Sequence, residues 1–253
     1  MIELQNVSKV LSGRTILDKV NLQIHDGETC VIVGPSGVGK SVTVKHMIRL
    51  LTPDSGKVIV NGDPISELSG VELEAAREHF GVLFQGGALI EWLSVRENVA
   101  LPLREKTSMG ESDIIELAMQ KLTLVGMADH STKRPSELSG GMRKRVGLAR
   151  AMVRNPSILI YDEPTSGLDP VSARTIDDLI LSMQAELGVT SVVVTHDLHS
   201  ALSIGDRIAM ITGGRFVETA APRQFVESEN ESVQAFLASQ FITRKGDWEN
   251  WRR

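Results

Sequence analysis

Residues 29–41, TCVIVGPSGVGKS, constrain this chain more than any other stretch. Five uncharged, mostly β-branched residues read as a strand buried on both faces, as in a parallel sheet covered by helices. The run passes directly into Gly34, Pro35, Ser36, Gly37, Val38, Gly39, Lys40 and Ser41, which match G-x-x-x-x-G-K-[ST]. KSVTVKHMIRLL then has the length of a helix. Strand, glycine-rich loop and helix together predict a phosphate-binding loop. Backbone N–H groups close around β- and γ-phosphates, and the helix N-terminus adds partial positive charge. Lys40 bridges the two phosphates and Ser41 ligates Mg²⁺. The competing reading, a glycine turn that merely precedes a helix, leaves the lysine and the hydroxyl without a purpose.

The rest of the chain supplies a sheet for this loop. IELQNVSKV and TILDKVNLQI alternate and meet at Ser12 and Gly13, which predicts an antiparallel pair at one edge. GKVIVNG, FGVLFQ, ILIYDEP, TSVVVTHD, DRIAMIT and RFVETA read as further strands. Between residues 95 and 154 strands vanish and the segments look helical. Alternation of buried strands and helices predicts a largely parallel α/β sheet. We expect one domain over residues 1–240, with a core of about 1–90 and 155–240, a helical subdomain of about 91–154, and a tail over 241–253. With aromatic residues at 4%, the core must be aliphatic.

Charge and cysteine use exclude several classes. A net charge of −5 argues against a protein that coats nucleic acid. Arg143, Lys144, Arg145 and Arg150 follow one helix and are expected to form a solvated face rather than a nucleic-acid patch. The single cysteine, Cys30, excludes an internal disulfide framework and is expected to be a small buried residue. No apolar run approaches the ~18 residues of a membrane-spanning helix, and no charged leader opens the sequence. A soluble cytoplasmic protein is expected, one that could still sit on a membrane through a partner.

Four further segments carry chemistry. ILIYDE delivers Asp162 to the carboxyl end of a buried strand, where it holds Mg²⁺ through water, and Glu163 then polarises the attacking water as a general base. Gln85 ends FGVLFQ, where a neutral amide can touch Mg²⁺ or the lytic water. His196 ends SVVVTH, where an imidazole can donate to a γ-phosphate oxygen. Taken singly, these are also readable as a surface acidic pair, an exposed turn glutamine and a structural histidine. LSGGMRKRVGLARA is the puzzle: a helix-cap serine and two glycines form a second phosphate-receiving turn, with no P-loop lysine of its own.

The order of P-loop, Gln85, LSGGM, ILIYDEP, SGLDP and VTHD resembles the ATP-binding-cassette ATPases over nearly the whole chain, to about residue 225. The resemblance implies a P-loop NTPase core with an antiparallel edge and a helical subdomain, and ATP and Mg²⁺ as ligands. It also accounts for the second turn. Ser139, Gly140 and Gly141 would receive the γ-phosphate of an ATP held by a second chain, so that a head-to-tail homodimer sandwiches two ATPs. Asp169, in SGLDP, would lie in the loop that crosses the dimer seam. The family usually stacks an aromatic residue on adenine from the first strand region. Here Leu11, or Val10, falls near that position, and stacking worth ~1–3 kcal/mol would be missing.

A single cassette without a long coiled coil points to a transporter ATPase gripping an integral membrane permease. FGVLFQGGALIEWLSVRENVALPLRE, PSELSGGMRKRVGLARA and ELGVTSVVVTHDLHSALSIGDRIAMI look like the ATPases of the Mla/Mce lipid transporters. That likeness implies phospholipid or another hydrophobic cargo, and a place on the cytoplasmic side of the cell membrane. It leaves room for a lipid-binding shuttle and a small regulatory subunit. The alternatives are an importer of other small molecules, such as amino acids, or a complex that powers a membrane partner without transport. Trp92 is expected either in the core of the helical insert or as an anchor on the permease. Trp248 and Trp251, three apart in the tail, would share a helical face and dock on a neighbouring subunit, or fold back on their own domain.

Overall fold

The computed structural model describes residues 1–242. Its elements run β1 (Ile2–Leu11), β2 (Arg14–Ile24), β3 (Thr29–Val33), α1 (Lys40–Met47), β4 (Ser55–Val60), α2 (Gly70–Arg77), β5 (Phe80–Leu83), α3 (Val95–Lys106), α4 (Glu111–Leu124), α5 (Gly140–Met152), β6 (Ile158–Asp162), α6 (Pro170–Leu187), β7 (Thr190–Val194), α7 (Leu198–Ile204), β8 (Arg207–Thr212), β9 (Arg215–Ala220), α8 (Pro222–Glu227) and α9 (Glu231–Ser239). The tail's Trp248 and Trp251 lie outside the described residues. Phe241, at its start, is exposed, while Ile242 packs into the core.

Two sheets form. A six-stranded sheet has the order β5-β6-β7-β3-β8-β9, parallel except for β9, and β2-β1-β4 is antiparallel. β3 lies inside the larger sheet, with Cys30 paired to Val192 on one side and to Arg207 on the other. Because side chains alternate across a strand, β3 feeds two cores. Val31 and Val33 join a cluster shared with α3–α9, whereas Cys30 and Ile32 join one shared with α1 and the antiparallel sheet. Burial pushes the Cys30 thiol up to about 12, which suits an inert packing residue.

Several helices start where a side chain takes up orphan backbone N–H groups. Ser94 and Glu97 form a reciprocal capping box on α3. Asp169 accepts from Val171 and Ser172 at the start of α6, and Asp197 from His199 and Ser200 at the start of α7.

α6 and α7 also enclose an acid. Burial raises the Asp177 carboxyl to about 6. The hydrogen bond from Ser200 Oγ (2.7 Å) and the charge of Arg174 oppose that rise, while Asp197 and Asp178 add to it. The folded pKa lies above the unfolded one, so ionisation favours the unfolded chain. Stability is fully present below pH 3.8, falls as pH rises toward 6, and stays lower above. Asp177→Asn keeps an acceptor for Ser200 and removes the cost. It should stabilise the protein at pH 8 by up to about 3 kcal/mol, and by much less at pH 4. Thermal melts at both pH values check this. An equal gain at both would mean that ionisation is not the cause.

Candidate functional site

The loop after β3 turns where only glycine fits. Gly34 has φ 149°, and a Cβ there would sit 2.2 Å from the carbonyl oxygen of Ile211. The loop then enters α1 through Gly39 in a left-handed conformation. Lys40, 6% exposed, folds back over the loop and donates Nζ to the carbonyls of Gly34 (2.8 Å) and Pro35 (3.0 Å). Burial holds its pKa below the usual lysine value, opposed by Glu163 and Asp162. Ser41 Oγ donates to Asp162 Oδ1 at 2.9 Å.

β6 brings Asp162 opposite Val194 of β7, at the carboxyl ends of both strands. Glu163 leaves the strand with a left-handed backbone, φ 52°, and its N–H donates to Val194 O at 2.8 Å. Its carboxylate is largely buried: Oε1 lies 3.9 Å from Lys40 Nζ, and Oε2 lies 2.8 Å from His196 Nδ1. Gln85 Nε2 reaches Ser166 Oγ at 3.5 Å. Neither Gln85 nor His196 ends a strand as expected. β5 stops at Leu83 and β7 at Val194, and both side chains come from the loops beyond.

These groups surround one cleft of about 370 Å³, lined by Ile16, Ser36, Gly37, Gly39, Lys40, Ser41, Val42, Gln85, Glu163, Ser166 and His196. The fold therefore gathers the P-loop, Gln85, Glu163 and His196, with Asp162 in contact through Ser41. Leu11 is a different matter. It pairs with Arg14 at the β1–β2 turn, and Ile16 rather than Leu11 or Val10 lines the cleft from this hairpin.

The second phosphate-receiving turn, Ser139 to Gly141 at the start of the signature helix α5 and called the signature turn from here, lies outside that lining. Ser139 caps α5 and accepts from Met142 N at 3.3 Å. Gly141 packs against α6, where a Cβ would come within 3.1 Å of Ser172 Cβ. Ser139, Gly140, Gly141 and Asp169 are all absent from the cleft wall.

Metal capacity follows from the donor set. Among the described residues no cluster of three or more His, Cys, Asp or Glu side chains could hold an ion by itself. The Ser41 hydroxyl, the Asp162 carboxylate and the Gln85 amide are a sparse set. Mg²⁺, which keeps waters and takes phosphate oxygens alongside one or two protein ligands, suits such a set.

The basic residues of α5 are not a solvated face. Arg143 donates to Leu138 O (2.7 Å), and Arg145 to Val125 O (3.1 Å) and Gly126 O (3.2 Å). Arg150 donates to Gly87 O (2.9 Å) and Ala88 O (2.8 Å), just beyond Gln85. Lys144 donates to Glu163 O (2.9 Å) and Ser166 O (2.8 Å). The cations saturate loop carbonyls that no strand or helix satisfies.

Two more residues escaped sequence reasoning. Gln240, beyond α9, donates to His196 O (2.6 Å) and accepts from Leu198 N (2.8 Å), fixing the histidine loop. Asn98, fully buried, exchanges hydrogen bonds with both backbone groups of Ile90 and donates to Leu93 O and Ser94 O. The loop it pins presents Trp92 at 76% exposure, so Trp92 is not a core residue.

The chain is similar to known proteins. Residues 17–166 match the ABC transporter family. The chain is 42% identical over 236 residues to the probable ribonucleotide transport ATP-binding protein mkl of Mycobacterium tuberculosis, covering 93% of this chain and 66% of that protein. It is 38% identical to the intermembrane phospholipid transport system ATP-binding protein MlaF of Haemophilus influenzae, covering 94% of this chain and 90% of that protein. In structure it is similar to the dimeric ATP-binding cassette MJ0796 in a post-hydrolysis state with ADP and Pi. There the TM-score is 0.81 and the identity 33%, covering 88% of this chain and 99% of that one. A family match across more than half of the chain, with identities of this order along nearly all of it, means that the chain belongs to the ABC transporter family as one of its ATPase cassettes.

Proposed function

We propose that this cassette hydrolyses ATP as a head-to-tail homodimer and thereby drives a membrane permease that carries phospholipid or another hydrophobic molecule. The observation that carries the ATPase part is the placement of the Glu163 carboxylate. It projects into the P-loop cleft between Lys40 and His196. The loop N–H groups and Lys40 bind the β- and γ-phosphates. Ser41, Asp162 and Gln85 would hold Mg²⁺, which when bound offsets charge on the phosphates. Glu163 takes the proton of the attacking water, and His196, beside that carboxylate, donates to a γ-phosphate oxygen. Ile16 rather than Leu11 covers the base. Ser139, Gly140 and Gly141 complete the nucleotide site of the second chain, with Asp169 at the seam between the chains.

For the transport part, the permease needs a place to dock. A groove of about 430 Å³ runs along the edge strand β5 beside α3, with Phe80, Val82, Phe84, Leu101 and Pro102 among its walls. Trp92 stands exposed on the loop leading into α3. A large aromatic exposed to solvent is the kind of residue that becomes a binding hot spot. A permease helix in this groove would hold the cassette at the cytoplasmic face, and no helix among the described residues is long and apolar enough to cross the membrane itself.

The name of the Haemophilus protein supports lipid cargo. The name of the mycobacterial protein supports the rival reading, another small molecule. Affinity purification of the tagged chain from membranes, with mass spectrometry of proteins and extracted lipids, separates them. Wild type should bring down a polytopic membrane subunit together with phospholipid, and Trp92→Ala should lose that subunit at least tenfold. A copurified permease without enriched lipid would favour the rival cargo. Full retention of the permease by Trp92→Ala would remove Trp92 from the contact.

A further inference from the structure

We propose that Lys144 is a positioning residue for Glu163, tying the backbone of the base to the signature helix of its own chain. The inference rests on the ATPase reading above. Lys144 lies within α5, 5% exposed, where an apolar side chain would pack without the desolvation cost of an ammonium. It is satisfied by two carbonyls: Nζ donates to Glu163 O at 2.9 Å and to Ser166 O at 2.8 Å.

These bonds fall where the sheet can no longer hold the chain. The β6–β7 pairing ends at Asp162 and Val194. Glu163 then adopts a left-handed backbone that a residue with a Cβ does not favour. Its N–H is anchored to Val194 O at 2.8 Å. On the other side its carbonyl takes the ammonium of Lys144, with only a longer bond from Ser166 N at 3.3 Å besides. Without Lys144 the carbonyl end is held only by the 3.3 Å bond from Ser166 N, and the carboxylate between Lys40 and His196 is less firmly placed. Burial pulls the Lys144 pKa down to about 8 while Glu163 raises it, so the ammonium sits in the field of the base it holds. The same helix begins with Ser139, Gly140 and Gly141, the turn assigned above to the second chain's ATP. A movement of α5 toward that nucleotide carries the Glu163 carbonyl with it, so one lysine links the two half-sites that a single chain bears.

Steady-state ATPase assays on Lys144→Met and Lys144→Arg, with melting curves, test this. A misplacement of the base by about 1 Å is a loss of up to ~10²-fold. Lys144→Met should therefore lower kcat by about 10- to 100-fold and leave KM for ATP within about twofold. Lys144→Arg, which keeps donors for both carbonyls, should recover most of the rate. The melting temperature of Lys144→Met should change little, because relief of a buried ammonium offsets the cost of leaving two carbonyls without that donor. Should Lys144→Met fail to fold, Lys144→Gln, which retains one N–H₂ donor group, is read by the same kcat and KM split. A kcat within about threefold of wild type overturns the inference. So does a joint loss of kcat, substrate affinity and melting temperature, which would make Lys144 a packing residue only. If wild type itself fails to turn over ATP, it is the ATPase reading that falls, and Lys144 with it.

Discussion

Glu163→Gln should bind ATP and fail to turn it over. Glutamine has the shape of glutamate but cannot accept the proton of the attacking water, and a positioned general base contributes about 10²–10⁴ in rate. Binding should survive, because the phosphate contacts come from the P-loop and Lys40, which the substitution leaves in place. It also removes a carboxylate 3.9 Å from the Lys40 ammonium, freeing that charge for phosphate. The ATP-bound dimer should then accumulate and appear on a sizing column at twice the mass of the nucleotide-free chain. Lys40→Ala gives the opposite signature. It removes a charge-assisted contact worth roughly 1.5–3 kcal/mol, so nucleotide and dimer should both be lost. Turnover by Glu163→Gln near the wild-type rate would end the assignment of the base.

Much of this site could be read from sequence because its parts are local. The buried strand, the glycine loop and the lysine occur within thirteen consecutive residues, and each supports the others. Gln85 and His196 were misplaced by two residues relative to the strand ends, with little consequence. β5 and β7 are parallel strands of one sheet, and loops leaving their carboxyl ends converge on the same crevice wherever the last ladder bond falls.

What was not legible depends on register and on distant acceptors. β1 has irregular pairing at three places along its length, and Asn6 and Lys19 take left-handed conformations. Such irregularities re-aim side chains in a way that alternation cannot anticipate, so Ile16 replaced Leu11 at the cleft. The α5 cations were misread for a related reason. Helical spacing tells which residues share a face, but it says nothing of the loop carbonyls at Gly87, Val125 and Glu163 that the fold brings to that face. Trp92 was undecided in sequence because its exposure is set by Asn98, whose partners lie four to eight residues away in a loop without regular pattern.

Mixing two dead variants should restore activity if the site is shared between chains. Lys40→Ala destroys the P-loop half of the site and spares Ser139. Ser139→Arg does the reverse: it places a long cation where a γ-phosphate-facing turn is proposed, and removes a helix cap whose loss costs only about 1 kcal/mol. Each homodimer carries one lesion in both composite sites and should be inactive. Two-fold symmetry makes the two sites of a dimer equivalent and reciprocal. In the mixed dimer, therefore, both lesions meet in one site, and the other combines the intact P-loop of one chain with the intact signature turn of its partner. Equal amounts of the two chains give heterodimers as half of all dimers. With one of two sites working in each, recovery of up to about a quarter of wild-type activity is expected from the mixture, and up to about half from purified heterodimer. Differently tagged chains establish by tandem purification that heterodimers form, and ATPase assays on that fraction read the result. A cleft that worked within one chain would give no recovery from the same heterodimers, since each chain would still carry its own fatal lesion. That outcome would return Ser139, Gly140 and Gly141 to a purely structural part, as the cap of α5 and its packing surface against α6.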